Sequence, residues 1–166
     1  MEQQYKEYLE MIERMAKSKK LDNKKYHQGY FTNFKNPMKC ENVIYKKACV
    51  FRSSWEKMFM EWLDTQPAVV SWSSELVKIV YPNPLTNRSS FYYPDFMISY
   101  VDKLGNFHKE MIEIKGRHEA VLKETHNARD RLLYIQNLKK FEYAIKWCQP
   151  RGIKFRVLTE KELFRC

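Results

Sequence analysis

The sequence predicts an α/β fold in which a mixed sheet of about four strands is flanked by helices and preceded by an N-terminal helix and an extended arm. Apolar residues recur at helical spacing near the start, in the middle and in the last third of the chain. Between and after these segments lie four runs rich in Val, Ile, Tyr and Phe, which favour strands. With 166 residues, 44% of them hydrophobic, the chain has enough material for a core of one domain.

The N-terminal part is predicted to contain two helices joined by irregular chain. Residues 1–28 comprise an amphipathic helix and a basic linker, and residues 29–51 form an extended arm that is aperiodic and lies outside the core. A core domain follows over residues 52–166, and its first helix begins at Ser53 or the next serine and ends near Asp64. The apolar positions that indicate the N-terminal helix are Tyr5, Tyr8, Leu9, Ile12 and Met15.

The remainder of the core domain supplies the sheet and a long helix. Strands are predicted for residues 69–81, with a bend near Ser73-Ser74, and for residues 92–101, 107–115 and 153–158. A loop spans residues 82–90, and a turn around Gly105 joins the second and third strands as a hairpin. After a polar connection, a long helix with the apolar stripe Tyr134, Leu138, Phe141, Ile145 and Cys148 ends near Gln149. A capping box, Thr159-x-x-Glu162, opens a short last helix.

Composition excludes several classes of protein. A mean hydropathy of −0.66 and the lack of an apolar run near 18 residues exclude a membrane-spanning helix. The polar, acidic N-terminus lacks the pattern of a signal peptide, so we expect a cytoplasmic protein. The cysteines have the spacing of neither a disulfide framework nor a zinc site, and we expect reduced thiols: Cys40, Cys49, Cys148 and Cys166.

The positive charge indicates a polyanionic partner. Thirty Lys and Arg against 20 Asp and Glu give a formal charge of +10, and such an excess is typical of nucleic-acid-binding domains. The alternative is a solvated surface that is basic without function. The candidate nucleic-acid contacts are Arg52, Arg88, Arg117, Asn137 and Lys140. Asn137 falls inside the apolar stripe of the long helix, so a buried amide with only a structural role is equally compatible with its position.

Three charged residues interrupt the apolar pattern of the predicted strands. Side chains alternate across a sheet, so Glu113 and Lys115 share one face of the third strand. Asp95 follows Pro94 in the neighbouring strand, among aromatic and aliphatic residues. An edge strand with a cross-strand salt bridge, worth at most about 1 kcal/mol when exposed, is the alternative interpretation. Pro94, the hairpin that links the two strands and the flanking β-forming residues favour a functional cluster over a salt bridge.

A further acid lies on the helix before the first strand. Glu56 falls on the shoulder of the apolar stripe of that helix, where a carboxylate needs a partner because an unpaired buried charge is costly. Ser53-x-x-Glu56 is also a capping box, which would explain Glu56 without any function. Glu75 is a rival for the same role, since its predicted strand could turn the side chain inward.

Acids that converge beside a lysine suit phosphodiester hydrolysis at a divalent metal. Hard oxygen ligands hold Mg²⁺, which retains several waters and lowers the pKa of a bound water. In this interpretation Asp95 and Glu113 bind the metal, Lys115 serves the nucleophile, and Glu56 binds or orients from the helix. The carbonyl of Ile114 is a plausible further ligand. We expect Mn²⁺ to substitute for Mg²⁺.

The motif Tyr93–Phe96 followed by Glu113–Lys115 resembles the signature of the PD-(D/E)xK nuclease superfamily, with Glu56 at the position of its helical acid. More specifically, residues 29–164 resemble the head-completion nucleases of large tailed phages and, more distantly, the endonuclease subunit of Tn-type transposition systems. The further segments that carry this resemblance are Gly29–Thr32, Asn36–Pro37, Phe51–Glu56, Trp72–Glu75, Asn137–Phe141 and Val157–Glu160.

The resemblance implies a Mg²⁺-dependent DNA endonuclease with a restriction-endonuclease-like core that acts in head completion after DNA packaging. Its implied partners are double-stranded DNA and portal or neck proteins of the virion, in the host cytoplasm or on the virion, without a nucleotide cofactor. The implied catalytic residues are Glu56, Asp95, Glu113 and Lys115. The alternatives are a non-catalytic protein that binds DNA ends or the portal, and an endonuclease of the transposon-end or restriction type.

Overall fold

A computed structural model describes residues 2–18, 28–117 and 127–163 of the chain. The helices and strands follow one another as α1 (Glu2–Ser18), β1 (Gly29–Tyr30), α2 (Glu41–Ile44), β2 (Val50–Phe51), α3 (Ser54–Thr65), β3 (Val69–Ser74), β4 (Ile79–Asn83), β5 (Arg88–Tyr92), β6 (Phe96–Val101), β7 (Phe107–Ile114), α4 (Ala128–Cys148), β8 (Lys154–Leu158) and α5 (Glu160–Leu163). Short 3₁₀ turns cover Pro37–Lys39 and Gln149–Arg151.

Four strands form one mixed sheet in the order β3-β6-β7-β8, flanked by helices. The strands β7 and β8 run parallel, with Glu113 opposite Val157, and a crossover through α4 connects them. The predicted α/β fold with a four-stranded mixed sheet is therefore confirmed. The chain divides into two compact units, one of Met1–Ser74 with Ile98–His108 and the other of Glu75–Met97 with Lys109–Cys166.

In the first unit, the predicted N-terminal helix is confirmed as α1, and one of its tyrosines is fully buried. The hydroxyl of Tyr8 donates a hydrogen bond of 2.9 Å to the carbonyl of Phe31 and accepts one of 3.1 Å from the amide of Cys49. Burial raises the pKa of Tyr8 well above its ordinary value, so the hydroxyl stays protonated and can make both bonds. This single side chain thus fixes α1 to two separate points of residues 29–51.

Residues 29–51 do not form the arm outside the core that the sequence predicted. Phe31, Cys40 and Val43 are buried, and the segment contains β1, β2 and α2. The aperiodic spacing misled the prediction because burial here depends on aromatic packing rather than on a helical or strand repeat: the rings of Phe31 and Phe34 meet edge to face at 4.7 Å. Whether residues 1–28, 29–51 and 52–166 act as separate domains stays a prediction.

The helix predicted from Ser53 is confirmed as α3. Ser53 is its N-cap, and its hydroxyl accepts a hydrogen bond of 3.1 Å from the amide of Glu56. At the other end Asp64 is buried, and its carboxylate accepts hydrogen bonds from the amides of Lys35 and Asn36 at 2.6 and 3.0 Å. The buried charge is therefore stabilised by backbone donors that also hold residues 35–36 in place.

The predicted strand 69–81 is confirmed as far as β3 and breaks at its predicted bend, whereas the predicted loop 82–90 is wrong. The strand β3 ends at Ser74 because Glu75 adopts a positive φ of 52°, which breaks the extended conformation. The chain resumes as β4, which pairs antiparallel with β5 in a separate two-stranded sheet, with Val80 opposite Phe91. The predicted loop thus contains most of a hairpin, and Tyr92 ends β5 rather than beginning the next strand.

The hairpin predicted around Gly105 is confirmed between β6 and β7, and Gly105 has a φ of 84°. The long helix is confirmed as α4, which ends within a residue of Gln149, and the strand after it is β8. Two positions of its predicted apolar stripe differ, because Leu138 and Ile145 are about half exposed. The capping box is confirmed, since the amide of Thr159 donates to the Glu162 carboxylate at 2.7 Å.

Three of the four cysteines fall within the described residues, and Cys40, Cys49 and Cys148 are buried and form no disulfide there. The polar connection after Gly116 lies largely outside the described residues, as does the basic linker at residues 19–27. Across residues 2–18, 28–117 and 127–163, none of the helices has the length and apolar character needed to cross a membrane.

Candidate active site

The second unit brings Asp95, Glu113 and Lys115 together where β7 ends. Asp95 immediately precedes β6, Glu113 is the penultimate residue of β7, and Lys115 follows that strand. The amide of Lys115 donates to the carbonyl of Leu158 at 2.9 Å, so pairing with β8 continues past the end of β7 and orients the lysine. The site is thus built on a strand held by a parallel neighbour.

Glu113 is the most enclosed of these side chains, and each of its oxygens has polar partners. It is 3% exposed. Its Oε1 lies 3.0 Å from Nζ of Lys115, and its Oε2 accepts hydrogen bonds from the hydroxyl of Tyr92 at 2.7 Å and from the amide of Asp95 at 3.3 Å. The predicted placement of Glu113 and Lys115 on one face of the strand is confirmed by this ion pair.

Asp95 both accepts a hydrogen bond from the end of β7 and donates one to it. Its Oδ2 accepts a hydrogen bond of 2.8 Å from the amide of Ile114, while its own amide donates to Glu113. Its carbonyl accepts a further bond of 3.1 Å from the amide of Glu75. Two carboxylates are therefore fixed side by side by a reciprocal pair of backbone bonds, and Asp95 remains partly exposed while Glu113 is buried.

Tyr92 is the site residue that sequence reasoning missed. It is 4% exposed and donates to Glu113 in a shorter bond than that of the Asp95 amide. Burial, and then the neighbouring Glu113 charge, raise the pKa of Tyr92 well above its ordinary value, so the hydroxyl remains a donor. No spacing rule marks a tyrosine as a partner of an acid; the one available signal was its position three residues before Asp95.

Lys140 of α4 places a second cation beside this tyrosine. Its Nζ lies 5.6 Å from the ring centre of Tyr92 and 6.0 Å from that of Tyr81, within reach of a cation–π interaction with each. The hydroxyl of Tyr81 accepts a hydrogen bond of 3.1 Å from Gln136 on the same helix. Asn137 is buried, 5% exposed, which fits the structural interpretation of this amide better than direct contact with DNA.

Glu56 lies in the first unit, where its carboxylate contacts the residues at the N-terminus of its own helix, α3. Its Oε2 accepts a hydrogen bond of 3.0 Å from the amide of Arg52, and the hydroxyl of Ser53 lies 3.3 Å from Oε1. The predicted cap at Ser53 is confirmed by the bond from the Glu56 amide to the Ser53 hydroxyl, while the Glu56 carboxylate binds the amide of Arg52. These bonds do not test a catalytic role for Glu56, which stays a prediction, as does DNA contact by Arg52.

The other predicted residues occupy the second unit at separate places. Arg88 is exposed at the start of β5, and the amide of Arg117 donates to the Glu160 carboxylate at 3.1 Å. Glu75, the rival for the helical acid, is partly buried at the bend after β3, where its amide donates to the carbonyl of Asp95. DNA contact by Arg88 and Arg117 is not tested by these positions.

The donor chemistry of the site fits a hard divalent cation. Asp95 and Glu113 offer carboxylate oxygens, the ligand type that Mg²⁺ prefers, and Asp95 is accessible enough to retain metal-bound water. Within the described ranges no cluster of three or more His, Cys, Asp and Glu side chains is arranged to hold a metal. Any further ligands would come from a carbonyl, from water or from the substrate phosphate.

Comparison with known proteins identifies the family of this chain. Residues 66–160 match the family described as the TnsA-like endonuclease N-terminal domain, a span that contains Asp95, Glu113, Lys115 and Lys140. The chain belongs to this family. Its domain has the restriction-endonuclease-like fold, in agreement with the four-stranded mixed sheet. Glu56 lies outside the matched span.

A relative from Enterobacteria phage T4 is named the head completion nuclease. It is 34% identical to this chain over 127 residues, which cover 70% of this chain and 82% of that protein. The resemblance to phage head-completion nucleases of the PD-(D/E)xK type is therefore confirmed, and with it the assignment to a nuclease family.

Proposed function

We propose that this protein is a Mg²⁺-dependent DNA endonuclease that hydrolyses phosphodiester bonds and acts in phage head completion after DNA packaging. The observation that carries the proposal is the contact set around Glu113, in which Lys115, Tyr92 and the Asp95 amide converge on one buried carboxylate. The nuclease family and the phage relative support the reaction class and the setting.

The chain's own residues have distinct tasks in this reaction. Tyr92 and the amide of Asp95 hold Glu113 in a fixed position, so that its carboxylate needs little reorganisation when substrate binds. Lys115 lies at the strand end, partly exposed, where its ammonium group can orient a water or stabilise the charge that develops on the phosphate. Lys140 adds positive charge beside the same tyrosine.

Asp95 and Glu113 are the residues that would hold the metal, with the Ile114 carbonyl and Glu56 as proposed additional ligands. When bound, Mg²⁺ polarises the phosphate and lowers the pKa of a coordinated water, and we expect Mn²⁺ to replace it. Arg52, Arg88, Arg117 and Lys140 are proposed to contact the phosphates of double-stranded DNA, which makes the affinity depend on salt.

Plasmid cleavage tests the enzyme directly. We expect the purified full chain to cut supercoiled plasmid with Mg²⁺ or Mn²⁺ and not with EDTA. Asp95→Asn, which retains an oxygen acceptor for the Ile114 amide, and Lys115→Ala should each lower the rate by about 100-fold or more. The matched control is Lys103→Ala, which removes an exposed lysine from the β6–β7 turn and should cut normally. Equal cutting by all four proteins would remove Asp95 and Lys115 from catalysis.

The setting in virion assembly needs a separate test. If the chain acts after packaging, infection with a phage that carries Asp95→Asn should accumulate DNA-filled heads without tails. Such heads should become competent for tail joining when the purified wild-type chain is added in the host extract. Portal or neck proteins are proposed as partners, and co-purification of the chain with filled heads but not with empty precursors would support them.

The match to a TnsA-like domain favours a second candidate, an endonuclease of the transposon-end type. This candidate predicts cuts at defined sequences, whereas a head-completion enzyme is expected to cut with little sequence preference. Mapping of cut sites on a long duplex by sequencing separates the two. A non-catalytic protein that binds DNA ends or the portal predicts instead that Asp95→Asn completes heads as well as the wild type does.

A further inference from the structure

The β4–β5 hairpin exposes one of its two sides. Side chains alternate along each strand, so Tyr81 and Tyr92 are buried while their neighbours Val80 and Phe91 are 54% and 59% exposed. Val80 and Phe91 stand directly opposite each other in the antiparallel register. Tyr93, the residue after β5, is 45% exposed. We call the exposed side the hairpin face, which consists of Lys78, Val80, Phe91 and Tyr93.

The charge of this region has one sign. Residues 76–94 contain no Asp or Glu, whereas Lys78 is exposed on the hairpin face and Arg88, opposite Asn83 at the start of β5, is exposed as well. Nζ of Lys78 lies 3.7 Å from the ring centre of Phe91, so a cation and an aromatic ring form one contiguous feature. An aromatic surface with cations and no acids matches a nucleic acid, because bases stack on the rings while cations meet phosphates.

The hairpin face is continuous with the candidate active site through a single strand. Phe91 and Tyr93 flank Tyr92 in sequence, and the hydroxyl of Tyr92 is bonded to Glu113. Asp95 follows Tyr93 by two residues. Because the peptide chain between these positions is short and hydrogen-bonded, a nucleotide on the exposed aromatic rings would lie close to the acids that are proposed to cut DNA.

We infer that the hairpin face binds unpaired nucleotides next to the scissile phosphate, and that the enzyme therefore prefers DNA with a single-stranded flank to fully paired duplex. This inference rests on the proposed nuclease function and names its substrate class. In a duplex the faces of internal bases are covered by their neighbours, so Phe91 and Tyr93 can stack only on a base that is unpaired or at a duplex end.

Binding without cleavage is the first measurement. Fluorescence anisotropy with the full chain in EDTA compares a forked duplex that carries a short single-stranded arm with a blunt duplex of the same length. We expect tighter binding to the fork. Phe91→Ala and Tyr93→Ala should each weaken fork binding by roughly tenfold, the effect of losing one stacked base, and should leave blunt-duplex binding nearly unchanged.

Three variants make the measurement specific to stacking. Phe91→Leu retains apolar bulk but no aromatic face, and it should weaken fork binding as Phe91→Ala does, whereas Phe91→Trp should retain it. Phe107→Ala removes a phenyl ring that is 62% exposed on the other hairpin, and it should bind forks as the wild type does. Thermal unfolding checks that each variant is folded.

Each other outcome contradicts the inference. Equal affinity for fork and blunt duplex removes the preference for unpaired nucleotides, and an equal loss on both substrates points to stacking on duplex ends. Normal binding by Phe91→Leu assigns the face to apolar contact, as for a protein partner. Asp95→Asn separates this inference from the function: should it bind forks tightly while no form of the chain cuts plasmid, the nuclease proposal fails and the hairpin face stands.

Discussion

The hydroxyl of Tyr92 donates a hydrogen bond of 2.7 Å to Oε2 of Glu113, and both side chains are buried. The tyrosine comes from the two-stranded β4–β5 hairpin, while the acid comes from the four-stranded sheet. This hydrogen bond therefore joins β5 to β7, which belong to two separate sheets, and it does so at the carboxylate that the proposed chemistry requires.

Tyr92→Phe is expected to lower both stability and activity. The loss of one donor to a buried carboxylate should reduce the free energy of unfolding by about 1–3 kcal/mol, as measured by urea denaturation. Plasmid cleavage should fall as well, because Glu113 loses the bond that fixes its position. Tyr45→Phe is the control, since Tyr45 is 64% exposed and should change neither quantity. Full activity of Tyr92→Phe would show that this bond serves the fold alone.

The ion pair between Glu110 on β7 and Arg156 on β8 allows the contribution of this strand pair to stability to be tested. The Glu110 side chain is almost fully buried, and its Oε2 lies 3.1 Å from a guanidinium nitrogen of Arg156. Arg156→Met should lower the free energy of unfolding by roughly 1–3 kcal/mol, because it leaves a buried acceptor with one charged partner fewer. Adding Glu110→Gln should restore part of the loss, a coupling that a double-mutant cycle measures. Additive losses would mean that the two side chains do not stabilise each other.

The two proposed roles of Glu56 can be separated. Ser53→Ala removes the cap hydroxyl of α3 and should cost about 1 kcal/mol of stability without changing cleavage. Glu56→Gln keeps an oxygen acceptor for the Arg52 amide but removes the charge, and it should fold normally and fail to cut plasmid if Glu56 serves the metal. Normal cutting by Glu56→Gln would leave capping as its role.

Asp102 provides a pH-dependent test in the β6–β7 turn. Hydrogen bonds from His108 and then from the Asn106 amide lower the pKa of this carboxyl from 3.8 to about 2. Because the folded-state pKa is depressed, the stabilising effect is present above pH 3.8 and is lost as the pH falls through about 2. In His108→Ala, a carboxyl-carbon NMR titration should show the pKa of Asp102 rising toward 3.8. Glu142, whose pKa is lowered to about 2 by Lys139 and Lys146, should titrate unchanged.

Strand alternation was sufficient to predict the centre of the sheet and much of the site. The pattern placed Glu113 and Lys115 on one face, and the ion pair agrees; it also put Asp95 beside them, although the structure places Asp95 just before β6 rather than in it. These features were predictable because each follows from local sequence. A strand repeat of two residues and a glycine in a turn require no knowledge of distant contacts.

The β4–β5 hairpin escaped prediction for an equally physical reason. Ser73 and Ser74 predict a bend in the run of residues 69–81, but nothing local shows that Glu75 takes a positive φ and ends the strand. Ser89 and Ser90 resemble a loop, although they pair with β4. Tyr92 was missed together with the hairpin, because the side to which a tyrosine points depends on a strand that the sequence did not reveal.

Parallel pairing of β7 with β8 has a consequence for the timing of activity during protein synthesis. The strand with Glu113 acquires its β8 partner only after residues 154–158 have left the ribosome, since β8 follows β7 in the chain and the whole of α4 lies between them. A nascent or prematurely terminated chain would expose one edge of β7 and leave the Lys115 amide without the Leu158 carbonyl. A translation product that stops before β8 would thus lack the strand that orients Glu113 and Lys115.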